Sequence, residues 1–220
     1  MPDLEAVLIA LRRLKVFPLP QGVLLPGSAL PLHVFEPRYR ALVAEALRTD
    51  KVLAVATLAP GWEGDYEGRP ALRPIAGVGI IDELEELPDG RYNLLVRGVA
   101  RVRISGEHPA DKPFREVIAE IVSEPSAFDS RDVDTVRRAV LQLSESLPGD
   151  LAQALAMAAA RIPDPGTLCD VVAAAVLEEP EALQGVLDTV DVQERVSRVL
   201  GEIGALLLAA HPRPSDELLS

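Results

Sequence analysis

The chain has 220 residues, enough for one large domain or two small ones, and its 48% hydrophobic content is that of a globular protein. Its 34 acidic side chains against 22 basic ones give a formal net charge of -12, a field that opposes nucleic-acid backbones and anionic lipid. Cys169 is the single cysteine, which excludes an internal disulfide and a zinc site built from several thiolates.

Asp3 and Glu5 stand where a secretory leader would be basic. The apolar run from Gly201 to Ala210 is too short to span a bilayer, and Glu202 interrupts it. A cytoplasmic protein is therefore expected, with neither membrane nor nucleic acid among its partners. Aromatic residues are only 4%, so Leu, Val, Ile and Ala must fill the interior.

Residues 1–11 read either as a short helix resting on the body or as an extension for packing against another chain. Residues 12–17 alternate as a strand does. From Pro18 to Pro37 five prolines, at 18, 20, 26, 31 and 37, forbid a continuous helix. Short extended pieces are predicted there, with a tight turn at Pro26-Gly27.

Glu36-Pro37 opens a helix. Proline suits the first helical position, and the acid favours the positive helix end. Tyr39, Leu42, Val43, Ala46 and Leu47 recur three and four apart and form its apolar face. Arg38, Arg40 and Arg48 are assigned largely to the outside.

Residues 51–58 read as a buried strand and 60–71 as a loop. Four strands are predicted after it, at 72–81, 91–99, 101–106 and 114–122. Pro88-Asp89-Gly90 makes the tight turn between the first two. The whole of 12–122 is predicted to be a curved, mainly antiparallel sheet interrupted by one helix.

After Pro125 the period lengthens. Val133, Val136, Val140, Leu143 and Leu147 share a helix face that Pro148-Gly149 ends. Residues 150–160 are rich in good helix formers. Asp164-Pro165 opens a further helix, with the aspartate as N-cap. Asp191 caps the last long helix, with Glu194 at the capping-box position. The predicted division is a β-rich part over 1–124, a helical part over 125–211, and a flexible tail over 212–220.

No active site is complete. His33 and Glu36 are only two metal-ligating residues on an extended segment, and no HExxH is present. No serine lies in GxSxG, and no GxxxxGK[ST] exists for phosphate binding. Gly77 and Gly79 alone do not make a dinucleotide site. Cys169, among Leu168, Val171 and Val172, reads as a buried thiol rather than a reactive one. No cofactor, no metal and no catalytic residue is assigned.

Two features suggest contact surfaces. Arg97, Arg101 and Arg103 share one strand parity, with Gly98 marking a bulge. They form either a basic stripe for a carboxylate-rich partner or, more simply, the charged outer face of a strand. Trp62 and Tyr66, two of the few aromatics, fall in a polar loop, where aromatic anchors commonly serve contact. Glu63, Asp65 and Glu67 would form its rim. The candidate protein-binding residues are therefore Trp62, Tyr66, Arg97 and Arg103.

The segment FPLPQGVLLPGSALPLHVFEPRYRALVAEAL, residues 17–47, resembles the N-terminal substrate-binding domain of ATP-dependent Lon proteases. A second stretch, GVGIIDELEELPDGRYNLLVRGVARVRI, residues 77–104, is similar to the family's GxVxxI, PDGR and GxxRxxI pattern. Asp164, Pro165, Leu168, Asp170, Gln184, Leu187, Asp188, Asp191, Glu194 and Arg195 fit its weaker helical pattern. On this resemblance Pro31, Phe35, Glu36, Arg38, Tyr39, Gly90, Gly98 and Arg101 are structural motif residues.

The resemblance implies an α+β fold: a PUA-like pseudo-β-barrel of mainly antiparallel strands, followed by a C-terminal helical bundle. It also implies a non-catalytic module or adaptor that binds a protein partner or exposed polypeptide, independently of ATP. The family's ATPase and serine–lysine protease modules are expected to be absent from this chain. The alternative function is a small-molecule enzyme using a cleft between the two halves.

Overall fold

In the computed structural model, residues 2–66, 68–124 and 130–210 are described. The predicted tail at 212–220, and Glu67 at the predicted rim, lie outside them. The chain divides into two compact units, one of Met1–Glu124 with Leu177–Val190 and one of Pro125–Val176 with Asp191–Ser220.

In the first unit, α1 (Pro2–Ala10) and a 3-10 turn (Leu11–Arg13) lead into β1 (Leu14–Leu19). The predicted strand thus begins two residues late. β2 (Ala29–Val34), α2 (Pro37–Arg48), β3 (Val52–Thr57), a second 3-10 turn (Trp62–Asp65), β4 (Ile75–Glu86), β5 (Tyr92–Glu107) and β6 (Arg115–Ile121) follow. The sheet order is β2-β5-β4-β3-β1-β6, and β6 also pairs with β5. That last pairing closes five strands into a barrel and leaves β2 as an extension. All pairings are antiparallel except β1 with β3. The architecture is α+β, a mostly antiparallel sheet with helices.

The two strands predicted at 91–99 and 101–106 are one strand, β5. Gly79 pairs with Gly98 and Val78 with Ala100, so Val99 is the extra residue of a bulge. The bulge bends the strand and lets its two halves serve different neighbours, β2 in the first half and β6 in the second.

Tight turns set the registers. Ser28 N–H donates to the Leu25 carbonyl at 3.1 Å around Gly27, whose φ of 76° needs no β-carbon. Segment 24–25 crosses the sheet against glycines: a β-carbon at Gly77 would overlap the Leu24 carbonyl oxygen, and one at Gly98 the Leu25 oxygen. The GxG pair is thus a site of close backbone approach.

Strand alternation produces two apolar clusters. Leu14 and Val16, Val52, Ala54 and Ala56, and Ala76 and Val78 gather with Val102, Val117 and α1's Val7 and Ala10. The opposite parity places Phe17, Leu53 and Val55 with Tyr39, Leu42, Val43 and Ala46 of α2. α1 therefore rests on the body through Val7 and Ala10, while Leu8 and Ile9 are exposed.

After the β strands the chain forms α3 (Ser130–Ser144), α4 (Gly149–Arg161), α5 (Pro165–Val176), α6 (Pro180–Asp188) and α7 (Val192–Ala210). Helix α6 packs with the first unit, not with the helical part to which the sequence assigned 177–190. Polar contacts explain its position. Gln184 donates to the Ile75 carbonyl, and its side-chain oxygen accepts from Thr57 Oγ1 at 2.7 Å. Arg101 reaches the carbonyls of Val186 and Leu187.

The second unit is built from α3, α4, α5 and α7. Val136, Val140 and Leu143 are buried, as the helical period predicts, together with Val196, Val199 and Ile203. Asp164 caps α5 by accepting from Thr167 N–H at 2.7 Å, and Asp191 caps α7 by accepting from Glu194 N–H at 3.0 Å. A buried ion pair joins Arg195 to Asp170 at 3.1 Å. Among the described residues no helix is long and apolar enough to cross a membrane.

Candidate functional site

The start of α2 organises a polar and aromatic cluster on the first unit. Pro37 occupies the first helical turn, with Glu36 as N-cap residue in an extended conformation. Glu36 stands at the positive end of the helix, as the sequence predicts, but its carboxylate makes no cap hydrogen bond. One carboxylate oxygen accepts from Arg38 Nε at 2.9 Å, and the other accepts from the Tyr66 hydroxyl at 3.0 Å. These charge-assisted bonds replace a cap with a tie to a distant loop.

Arg38 is likewise not an outward arginine. Its Nη1 donates to the Tyr66 carbonyl at 3.2 Å. Its guanidinium carbon lies 4.8 Å from the Tyr39 ring centroid and 4.9 Å from that of Tyr66, within cation–π range of both. Tyr39 stacks in turn on Phe17. The residues of the PLHVFEPRY segment thus carry the 3-10 turn as well as opening the helix.

Trp62 sits edge-on to Tyr66, with ring centroids 5.7 Å apart, and is half-buried. Tyr66 is therefore an anchor of its own loop, while Trp62 and the exposed Glu63 and Asp65 stand further out. Burial, reinforced by the hydrogen bond to Glu36, raises the Tyr66 phenol above its ordinary value. Burial likewise raises Tyr39 well above the usual tyrosine range.

Beside this clamp is a cavity of about 240 Å³. Tyr39, Tyr66 and Phe114 supply aromatic wall, and Arg38, Arg69 and Lys112 supply charge. Lys112 lies between Glu116, at 2.9 Å, and Glu45, at 3.3 Å. The Glu116 hydrogen bond, then that of Glu45, raises its pKa. Sequence reading missed Arg69, Lys112 and Phe114 because only folding brings segments 36–39, 66–70 and 110–115 together.

The other arginines do not form a stripe. Arg101 is 1% exposed and Arg97 is half-buried, whereas Arg103 is exposed. The bulge at Val99 breaks the parity that linked Arg97 to the other two. Arg97 meets Asp3 at 3.0 Å and Asp82 at 3.6 Å, and so ties α1 to the sheet. Arg101 also pairs with Glu124 at 2.9 Å.

The remaining motif residues are dispersed. Pro31 is exposed on β2, which ends the sheet, and Phe35 is exposed beside His33. Gly90 has a φ of 77° in the turn joining β4 to β5, and its N–H donates to the Leu87 carbonyl at 2.8 Å. His33 and Glu36 do not converge: His33 Nδ1 lies 2.6 Å from Asn93 Oδ1, while Glu36 faces Arg38 and Tyr66. Among the described residues no three His, Cys, Asp or Glu side chains are placed to hold a metal ion. Cys169 is buried.

Residues 13–204 match the family model for the ATP-dependent protease La (LON) substrate-binding domain. The chain is 34% identical over 206 residues to the Lon protease of Roseiflexus castenholzii, an alignment that covers 90% of this chain and 24% of that protein. It thus spans about a quarter of the length of the curated relatives it matches. The N-terminal domain of a Mycobacterium avium complex Lon protease superposes with a TM-score of 0.71 at 18% identity, covering 88% of this chain and 98% of that one. A Lon N-terminal domain protein from Xanthomonas campestris gives a TM-score of 0.60 at 22% identity, covering 86% and 97%. Those two likenesses establish the fold, that of the Lon N-terminal domain with its PUA-like sheet, while the match over 13–204 establishes the family. The chain belongs to the LON substrate-binding domain family.

Proposed function

We propose that this chain is a polypeptide-binding module or adaptor with no chemistry of its own, and that it recognises exposed segments of protein partners. It acts in the cytoplasm, independently of ATP, and takes neither nucleic acid nor membrane as its partner. Its docking face is the 3-10 turn at Trp62–Asp65 with the adjoining cavity. One observation carries the reading: Glu36 and Arg38 clamp Tyr66 from two sides and so hold Trp62 on a preorganised support. A rigid aromatic anchor loses little conformational freedom on binding. The family membership supports the same reading.

Trp62 is the sole tryptophan, so its fluorescence reports directly on the site. Titration with a reduced, carboxymethylated and permanently unfolded protein is expected to shift that emission. In calorimetry, Trp62→Ala should weaken binding about thirtyfold, corresponding to an anchor of about 2 kcal/mol. Equal affinity of the parent chain and Trp62→Ala would reject this docking face. ATP turnover that co-purifies with the folded chain would reject the non-catalytic reading.

A further inference from the structure

The cavity beside the Trp62–Tyr66 turn has a composition opposite to that of the chain. The whole sequence carries 34 acids against 22 basic residues. Among the described residues, the cavity is lined by Arg38, Arg69, Lys112 and Arg115 and by no carboxylate. The acids that pair these cations stand outside the lining. Glu36 holds Arg38, Glu107 holds Arg69 and Arg115, and Glu45 with Glu116 holds Lys112. The cations are thereby fixed in place before any ligand arrives, which removes part of the ordering cost of binding.

They are not equivalent. Arg115 donates from Nε and Nη2 to Glu107 and from Nη1 to the Pro70 carbonyl, and so acts as a strut. Arg38 is committed to the Tyr66 clamp. Arg69 likewise donates from Nη1 to a carbonyl, that of His108 at 3.1 Å, but its side chain and that of Lys112 are 33% and 28% exposed, against 10% for Arg115. They are the cations a ligand reaches. Pro18, Leu58 and Phe114 add apolar wall, and Lys112 lies 5.3 Å from the Phe114 ring centroid.

We infer that this cavity captures the free C-terminus of a polypeptide whose last side chain is large and apolar. The inference rests on the polypeptide-binding reading and names the class of segment bound. The lining requires a ligand that is apolar in body and anionic at one point. A volume of about 240 Å³ falls below the roughly 300–1,000 Å³ of small-molecule clefts and suits one terminal residue. An internal acidic residue carries its charge on a short side chain and offers the wall of Pro18, Leu58 and Phe114 no large apolar group of its own. A chain end brings one side chain, one peptide link and a carboxylate. That carboxylate suits the ammonium of Lys112 and the guanidinium of Arg69, whose Nη1 already donates to the His108 carbonyl at 3.1 Å.

The test uses the full chain and three short N-terminally labelled peptides, identical but for their ends: Phe as free acid, Phe as amide, and Ser as free acid. Fluorescence anisotropy should show the Phe acid binding at least about tenfold more tightly than either of the others. The advantage of acid over amide should fall to about threefold or less in Arg69→Ala and in Lys112→Gln, with circular dichroism confirming that each variant is folded. Because the parent chain alone discriminates among the peptides, a variant that fails to fold does not blunt the test. Equal binding of acid and amide overturns the inference. If the unfolded protein binds while acid and amide are treated alike, the inference falls and the polypeptide-binding reading stands. If neither the unfolded protein nor any peptide binds, both fall.

Discussion

Arg101 donates from Nε to the carbonyl oxygen of Leu187 at 3.0 Å, joining residues 86 positions apart in the chain. Its Nη2 donates to Val186 at 3.2 Å, and its Nη1 meets Glu124 at 2.9 Å. One buried guanidinium thus secures the C-terminal end of α6 and the end of the β region. Replacement by alanine leaves a carboxylate without this partner and two carbonyls without these donors. Arg101→Ala is expected to lose about 3–5 kcal/mol of stability, measured by urea denaturation. Arg101→Lys, whose compact ammonium cannot reproduce the fork, should recover only a minor part.

The crossing of segment 24–25 over the sheet depends on absent side chains. Gly98→Ala should destabilise by about 1–3 kcal/mol or more, because the colliding atom is a backbone oxygen that cannot rotate away. Gly61→Ala provides the contrast. Nothing lies within 4 Å of its β-carbon position, although its φ of 91° strains any replacement locally. Thermal melts should show a large loss in the first and a smaller one in the second.

Tyr39 and Tyr66 make stability fall in base. Both phenols are raised in the folded chain, with burial the leading cause. The unfolded chain therefore releases these protons first as the pH climbs. Their contribution is fully present below about pH 10, the unperturbed tyrosine value, and is lost progressively above it. Denaturant midpoints measured across that range should fall, and Tyr39→Phe should flatten the decline. Tyrosinate absorbance should show two phenols titrating late.

The Arg195–Asp170 pair offers a separate test in the second unit. Both side chains are essentially inaccessible, at 0% and 1% exposure. Asp170→Ala is expected to lose about 3–5 kcal/mol by taking a buried carboxylate away from the Arg195 guanidinium. The double change Asp170→Leu with Arg195→Met should be far less damaging than the sum of the single changes. Calorimetric unfolding of the four proteins in the cycle measures the coupling.

Much of the local structure was legible because it is governed by neighbours in the chain. Pro26-Gly27, Glu36-Pro37, Asp164-Pro165 and Asp191 carry turn and cap chemistry within three or four residues, and each marks a boundary in the structure. What escaped depends on distant partners. The helical pattern of 180–188 does not state that Gln184 will meet Thr57 and Ile75. The bulge at Val99, which places Arg97 and Arg101 in different surroundings, is defined by register against β4. For the site, composition singled out Trp62 and Tyr66 as rare aromatics in a polar loop. Neither periodicity nor spacing could reveal that Arg38 lies against Tyr66, or that Arg69 and Lys112 share its cavity.

The return of α6 to the first unit affects how the chain is made. Synthesis proceeds from the N-terminus, and domains form as their parts emerge. β1 finds its partner β3 early, but its other neighbour, β6, emerges only at Arg115–Ile121. The carbonyls that Arg101 requires come later still, at Val186 and Leu187, after all of Pro125–Val176 has been translated. During that interval these two acceptors are not yet available to Arg101. A fragment cut at Glu124 lacks Val186 and Leu187 altogether, and it is expected to unfold at lower urea than the whole chain.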